Sequence, residues 1–343
     1  VVFEGNMPAD LAENHSLAEQ LAAAAWPPLG PAPEVWLGSA VAIKDPTSAA
    51  FVRQTGGNLL LVGHREEASL GVMASCLAAL AAQLPPDNNS SPLRPGEGHN
   101  SSAPLPLGEG PGVRVPEVKT PGTADQSLIP NPQSPIPAAG ARFYILDGAR
   151  PEAAEAGLWP RFVKAIPHAV TLVDPRGAVA AVAELAAEVA RRQQESLDRL
   201  PPIYLFIYNF GRFRELRKED EFGFGNREDG QAVSAGQQFA AILRDGPAWG
   251  IHTLLWSDSL GTLNRLLDRH SLRDFEMRVL FQMSATDSAS LMDAPDAGRL
   301  GVHRAIYYDE ARGQIEKFRP YGLPSPDWLA RVAAQLRGRP HGA

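Results

Sequence analysis

Cysteine is nearly absent from this chain: Cys76 is the only one in 343 residues. A disulfide framework is therefore impossible, and a reducing compartment fits. Cys76 falls inside an apolar helical pattern and reads as a small core residue. No run approaches the roughly 18 apolar residues of a membrane span, and no secretory leader opens the chain. The first residue is Val1, and the pattern starts in its middle. The expectation is a part of a longer protein, with anchors or partner domains upstream. Positive charge is in deficit. A net charge of -7 argues against a broadly basic nucleic-acid surface while leaving room for a local basic patch. Metal-ligand spacings and nucleophile–base motifs are also missing. Hydrophobic residues, at 44 %, are plentiful enough for a sizeable core.

The most informative segment runs from Asn58 to Leu80. It reads as a buried strand, a tight loop and a helix, which is the layout of a phosphate-binding loop. Such a loop requires G-x-x-x-x-G-K-S/T after the strand. Here Gly63 supplies the first glycine, and Ala68, Ser69 and Leu70 stand at the last three positions. Ala68 lacks the φ freedom of glycine, Ser69 carries no charge, and Leu70 is unable to ligate magnesium. Glu66 and Glu67 would repel phosphate, leaving His64 and Arg65 as the only polar compensation. Three readings remain: a structural loop feeding a helix, residual nucleotide binding through Gly63, His64, Arg65, Ala68, Ser69 and Leu70, and hydrolysis.

Five segments follow from composition. Residues 1–34 form a helical and proline-rich arm, and 35–84 hold the first strands, with candidates at Val35–Gly38 and Ala40–Ile43, and the loop. Residues 85–141 are rich in proline, glycine, serine and asparagine and contain an echoed block; this predicts a disordered insertion, with a polyproline II ligand segment as the alternative. Residues 142–322 resume strands and helices. Strands are expected at Arg142–Asp147, Ala169–Val173, Ile203–Tyr208, Gly250–Trp256 and Met277–Met283, with a closing pair near 305–318. Helices are expected at 178–199, Ala232–Arg244, Thr262–Asp268 and Asp287–Met292, and 323–343 form a C-terminal helix and tail. Strands separated by helices predict a mainly parallel α/β sheet.

A nucleotide-hydrolysing fold also needs an apolar strand ending in Asp-Glu. Ile203–Tyr208 ends instead in Asn209 and Phe210. Asparagine lacks the charge that holds magnesium, and phenylalanine is unable to position a water. Asp147, ending another strand, is a possible substitute carboxylate or a residue making local backbone bonds. His252 reads as a structural histidine, Asp287-Ser288 as a helix cap, and the loop from Arg212 to Lys218 as a mixed, solvated surface.

The order of these motifs resembles the motor domain of FtsK/SpoIIIE-type DNA translocases, in the FtsK–HerA branch of RecA-like P-loop ATPases. The segment 58–80 occupies the P-loop position. Arg142–Arg150 resembles the strand that ends in Asp-Pro-Lys, and Ile166-Pro-His168 the Pro-His segment. Pro202–Arg212 stands at the Asp-Glu position. Gly246–Trp256 resembles the late Gly-Ile-His strand, but leads into Ser257-Asp258-Ser259 rather than Ala-Thr-Gln-Arg. The resemblance covers roughly 36–320 and departs from the pattern at the catalytic positions. It implies a degenerate ATPase domain of a larger multidomain protein, structural or regulatory in a motor assembly. The alternatives it leaves open are an active ATP-binding DNA translocase, and a protein-binding module similar to degenerate type VII secretion ATPase domains. ATP and magnesium as cofactors, other ATPase modules and DNA as partners, an oligomer in the full-length context, and a cytoplasmic location all come from the resemblance. The sequence does not say whether an arginine acts across a subunit interface; Arg244 and Arg278 are the candidates.

Overall fold

The computed structural model describes residues 7–27, 30, 32–87, 140–153, 156–217 and 233–340. Runs that stay apolar at every position form the centre of the sheet. Leu59–Val62 (β3), Ile203–Tyr208 (β6) and Ile251–Ser257 (β7) are buried along their whole length, as strands covered on both faces must be. With Arg142–Asp147 (β4), Ala169–Val173 (β5) and Met277–Leu280 (β8) they make a parallel array ordered β8-β3-β7-β6-β4-β5. Four strands extend it antiparallel beyond β8: Ala305–Asp309 (β9), Gln314–Pro320 (β10), Glu34–Ala40 (β1) and Thr47–Ala50 (β2). The mainly parallel α/β sheet expected from the sequence is therefore present, with helices on both faces.

Alternation along the strands divides the core into two layers. Leu59, Leu61, Phe143, Ile145, Tyr204 and Phe206 point to one side. They meet His15–Ala22 (α1), Glu66–Gln83 (α2), Leu158–Ala165 (α3) and Pro326–Arg337 (α9). Leu60, Val62, Leu146, Leu205 and Ile207 point to the other. There they meet Ala178–Gln194 (α4), Ala235–Asp245 (α5), Leu260–Leu266 (α6) and Ala285–Met292 (α8). Arg269–Arg273 (α7) is a single turn before β8. Helix α2 is buried from Ser69 to Ala82, because the sheet covers one side and α1, α9 and β1 cover the rest. The N-terminal segment is tied to the C-terminal one: Ala9 bridges Tyr321, and Arg339 donates to the carbonyls of Ala82 (2.7 Å) and Gln20 while lying over Trp26.

Several boundaries differ from expectation, each for a physical reason. The strand expected at Ala40–Ile43 is not formed. β1 continues through Ala40, the chain bends over 41–45, and the partner strand is β2 at Thr47–Ala50. Helix α3 was hidden by Pro160, which sits in the first turn, where a missing N–H leaves no bond broken. Helix α4 stops at Gln194 because Ser196 turns left-handed, at φ 54°. Of the insertion expected at 85–141, residues 88–139 lie outside the described residues. Its two ends meet, with the Ala141 N–H donating to the Pro85 carbonyl at 3.0 Å. The loop expected from Arg212 to Lys218 is described only to Arg217, in two short 3-10 turns, Phe210–Arg212 and Arg214–Leu216.

Asn58 opens β3 and is fully buried. Its Nδ2 donates to the Leu243 and Asp274 carbonyls (2.9 and 2.8 Å), and its Oδ1 accepts from Thr253 N–H at 2.8 Å. One amide thus joins the end of α5, the approach to β8, and β7. Asn58→Ala strands three buried polar groups, and a loss of about 3 kcal/mol of unfolding free energy is expected in urea titrations.

Candidate functional site

In a parallel sheet ligands bind beyond the carboxyl ends of the strands. Here that edge carries Gly63 after β3, Asp147 ending β4, Asn209 after β6, and Ser257 with Asp258 at the end of β7. Only Gly63, His64 and Arg65 separate β3 from α2, which starts at Glu66. Gly63 is left-handed, at φ 130°, and a Cβ there would lie 2.8 Å from the Phe281 Cβ, so glycine is required. Its N–H donates to the Ser257 carbonyl at 3.1 Å. Its carbonyl accepts from the Trp256 indole at 3.2 Å and from Arg65 N–H at 2.9 Å. The turn is thus bound to the end of β7 through its own peptide groups.

The later motif positions are already inside the helix. Ser69 is fully buried, its hydroxyl donating back to the Arg65 carbonyl at 2.8 Å, and Leu70 is 1 % exposed. The structure turns both side chains into the core, away from any ligand at the loop. Ala68 remains at the surface beside His64, Arg65, Glu66 and Glu67. These five line a cleft of about 390 Å³ whose opposite wall is Pro8, Val302, His303, Gly322 and Leu323. Glu66 and Glu67 lie in the first turn of α2. Negative charge there complements the helix dipole and opposes an incoming phosphate.

The other expected site residues are engaged in the fold. Asn209 is left-handed, at φ 61°, and its Nδ2 donates to the Gly148 carbonyl at 3.1 Å. Phe210 is buried and packs on Phe239, 5.7 Å between ring centroids. Ser257 donates to the Ser259 carbonyl at 3.2 Å, and Ser259 caps α6. Asp147 accepts from Ala149 N–H at 2.9 Å, and burial raises its carboxyl above the usual range. Three strand spacings separate β4 from β3, roughly 14 Å, so Asp147 is not brought to the loop. It lines a second, larger groove of about 850 Å³ with Asp174, Glu184 and Arg212.

Two expectations need correction. Arg278 is 7 % exposed and anchored by the Leu291 carbonyl and Glu310, both at 2.6 Å, so it is not available to a neighbouring subunit. The cap of α8 is Ser284, which accepts from Asp287 N–H, rather than Asp287-Ser288. Arg244 is exposed and pairs with Asp245 at 2.7 Å. His252 is structural in its surroundings, buried with Nδ1 2.7 Å from the Gly57 carbonyl.

A bound magnesium nucleotide needs a backbone cradle, a cation on the β/γ-phosphates and oxygen ligands for the metal. The residues present do not fit it: the turn is short, the Gly63 and Arg65 N–H groups are used internally, and the lysine and metal positions are held by Ser69 and Leu70, both buried. Among the described residues no group of three or more His, Cys, Asp or Glu is placed to hold a metal ion. No helix among them is long and apolar enough to cross a membrane. Sequence reasoning missed, as site residues, His303 and Leu323 on the far wall of the cleft and Asp174 and Glu184 beside Asp147 in the second groove, because none belongs to a contiguous motif.

No protein-family model matches the chain, and no curated protein matches it. Solved structures do. The cytoplasmic domain of the type VII secretion ATPase EccC from Thermomonospora curvata aligns with a TM-score of 0.58 at 14 % identity, over 96 % of this chain and 34 % of that one. The pCW3 conjugation coupling protein TcpA, solved in a monomer form with ATPγS, aligns with a TM-score of 0.55 at 12 % identity, over 89 % of this chain and 70 % of that one. The chain spans about a third of the length of that EccC cytoplasmic domain. At such identities the likeness establishes the fold, which is that of the FtsK-type P-loop ATPase domains anticipated from the motif order.

Proposed function

We propose that this chain is an ATPase-fold module that does not turn over ATP and serves as a structural or regulatory partner beside other such domains. The observation that carries this reading is the three-residue passage from β3 into α2, with Ser69 turned inward. A P-loop holds phosphate with free N–H groups and a helix N-terminus. Here the Gly63 and Arg65 N–H groups are bonded within the fold, and two glutamates occupy the first turn of the helix. The loss of the lysine and of the acidic pair removes the charges that stabilise phosphoryl transfer. The same reading places the module in the cytoplasm, within a larger chain or ring.

Titration calorimetry with Mg-ATP is the direct test. The expected result is no saturable heat up to millimolar nucleotide and no phosphate release above the uncatalysed background. Micromolar binding that is lost in Arg65→Ala would overturn the proposal in favour of an active nucleotide-driven motor. A protein-binding role is favoured by one observation: the cleft at the loop exposes Val302 (49 %) and Leu323 (38 %), apolar surface that a nucleotide site has no use for. Pull-downs with and without DNA separate that role from DNA translocation.

A further inference from the structure

The far end of the parallel array is open. β5 pairs with β4 in continuous register from Ala169 to Val173 and, among the described residues, has no strand on its other side. Among the described residues, none of these five makes a backbone hydrogen bond outside that pairing. Edge strands are normally guarded by a charge, a proline or a bulge. β5, with the sequence Ala-Val-Thr-Leu-Val, has none of the three. Leu172 is 38 % exposed, and Thr171 is exposed beside it.

Beside this edge lies the groove of about 850 Å³ between the carboxyl ends of β4 and β5 and the start of α4. Three carboxylates line it, Asp147, Asp174 and Glu184, against one cation, Arg212. Each carboxylate is fixed by hydrogen bonds: Asp147 accepts from Ala149 N–H, Asp174 from the N–H groups of Arg176 and Gly177, and Glu184 from the Tyr144 hydroxyl at 2.6 Å. These contacts hold the groups in place, and among the described residues the lining keeps a net negative charge, three carboxylates against one guanidinium. An unguarded edge would admit any strand; the carboxylates select one sign of charge.

We propose that β5 and this groove form a docking site for an extended basic segment of a partner protein. The segment adds as a further strand beside β5, roughly 4.8 Å from it. Its backbone pairs with the open edge, an apolar side chain covers Leu172, and a lysine or arginine enters the groove between Asp147 and Glu184. The site is separate from the cleft at the β3–α2 turn and does not depend on whether nucleotide binds there.

The test is fluorescence anisotropy on the full chain, using a labelled decapeptide that alternates lysine with valine or threonine. Saturable binding is expected, weakened at least ~10-fold by replacing each lysine with glutamate and by raising the salt to ~0.5 M. Asp147→Asn with Glu184→Gln keeps the acceptor oxygens for Ala149 and Tyr144, so the fold is preserved; the double variant is expected to weaken binding ~10-fold as well. N-methylation of alternate peptide amides is expected to abolish binding, and hydrogen exchange is expected to show new protection at 169–173. Equal binding of the acidic peptide, or no loss in the double variant, overturns the proposal. Binding that survives N-methylation reduces the site to a charge contact and rejects strand addition. Protection at 169–173 that rises with protein concentration alone makes a second copy of this chain the occupant, and also overturns it.

Discussion

Gly71→Ala is expected to destabilise this protein by about 2 kcal/mol, although alanine is the better helix former. Gly71 lies in the second turn of α2, where the chain leaving β10 crosses the helix. A Cβ at this position would stand 2.4 Å from the Tyr321 carbonyl oxygen and 2.5 Å from that of Gly322. Both obstacles are backbone. They are also held in place: Tyr321 N–H donates to the Leu37 carbonyl at 3.3 Å and Gly322 N–H to the Ala9 carbonyl at 3.0 Å. Relief therefore requires β10, β1 and the N-terminal segment to move together. Overpacking of this kind costs about 3 kcal/mol, and the roughly 1 kcal/mol that alanine gains over glycine in a helix offsets only part of it. Gly261 in α6 is the control. Its Cβ would meet only the Ser259 Oγ at 3.9 Å, so Gly261→Ala is expected to be neutral or to stabilise by up to ~1 kcal/mol. Urea midpoints of the two variants should move apart. Equal midpoints would show that residues 321–322 yield, and that the cleft wall at Gly322 is softer than its hydrogen bonds imply.

The parallel centre was legible because burial on both faces demands unbroken apolar sequence, and Leu59–Val62 and Ile203–Tyr208 have it. What was not legible depends on neighbours distant in sequence. Val41 and Ile43 look like strand residues but lie in the β1–β2 connection, exposed at 44 % and 109 %. The ladder that decides this is made by Thr47–Ala50 and Phe318–Pro320. Gly71 is similar: within the helix pattern it is an ordinary weak position, and only the crossing chain makes it indispensable.

The candidate site was half legible. Gly63 marks the turn, and its role survives for a structural reason, the close approach of Phe281. The tight loop was legible, but spacing the motif over 63–70 carries its last three positions past Arg65 and into the helix. Acidic residues favour the first turn of a helix, and Glu66-Glu67 start α2 early enough to carry Ser69 and Leu70 inside. The lost charge at Asn209 and Ser257 was visible in the sequence. The internal use of the Asn209 amide, on Gly148, was not. Nor was the distance from Asp147 to the loop, which follows from a strand order that places β7 and β6 between β3 and β4.

Acid is expected to destabilise the fold through His252, with a span of about 3 kcal/mol between pH 6.5 and 4. The ring is 1 % exposed, against Phe51 and stacked on Tyr204, with its Nδ1 at the Gly57 carbonyl. Burial lowers its pKa to about 4; the Gly57 contact opposes the shift, and Arg53 and Arg192 add to it. In the unfolded chain it titrates near 6.5. Between these values the unfolded state binds the proton and the folded state does not, so stability falls as pH falls through the window. Asp274 works in the opposite sense. Burial raises its carboxyl to about 6 from 3.8, so the folded state binds the extra proton there and gains stability on acidification. That group is half-buried and solvent-screened, which discounts its share, and the histidine outweighs it. Glu188 enters only later. Burial pulls its carboxyl up, but hydrogen bonds from Arg191 and Arg192 outweigh burial and bring it down to about 2. Its stabilisation is therefore intact down to about pH 4.5 and disappears as pH falls toward 2. His252→Gln should flatten the urea stability profile between pH 6.5 and 4 while leaving the drop below pH 4. Asp274→Asn should steepen the same window. A wild-type profile that is flat from pH 7 to 4, and unchanged in His252→Gln, would show that the ring is protonated in the native state and that the aromatic layer beneath β6 and β7 is open to water.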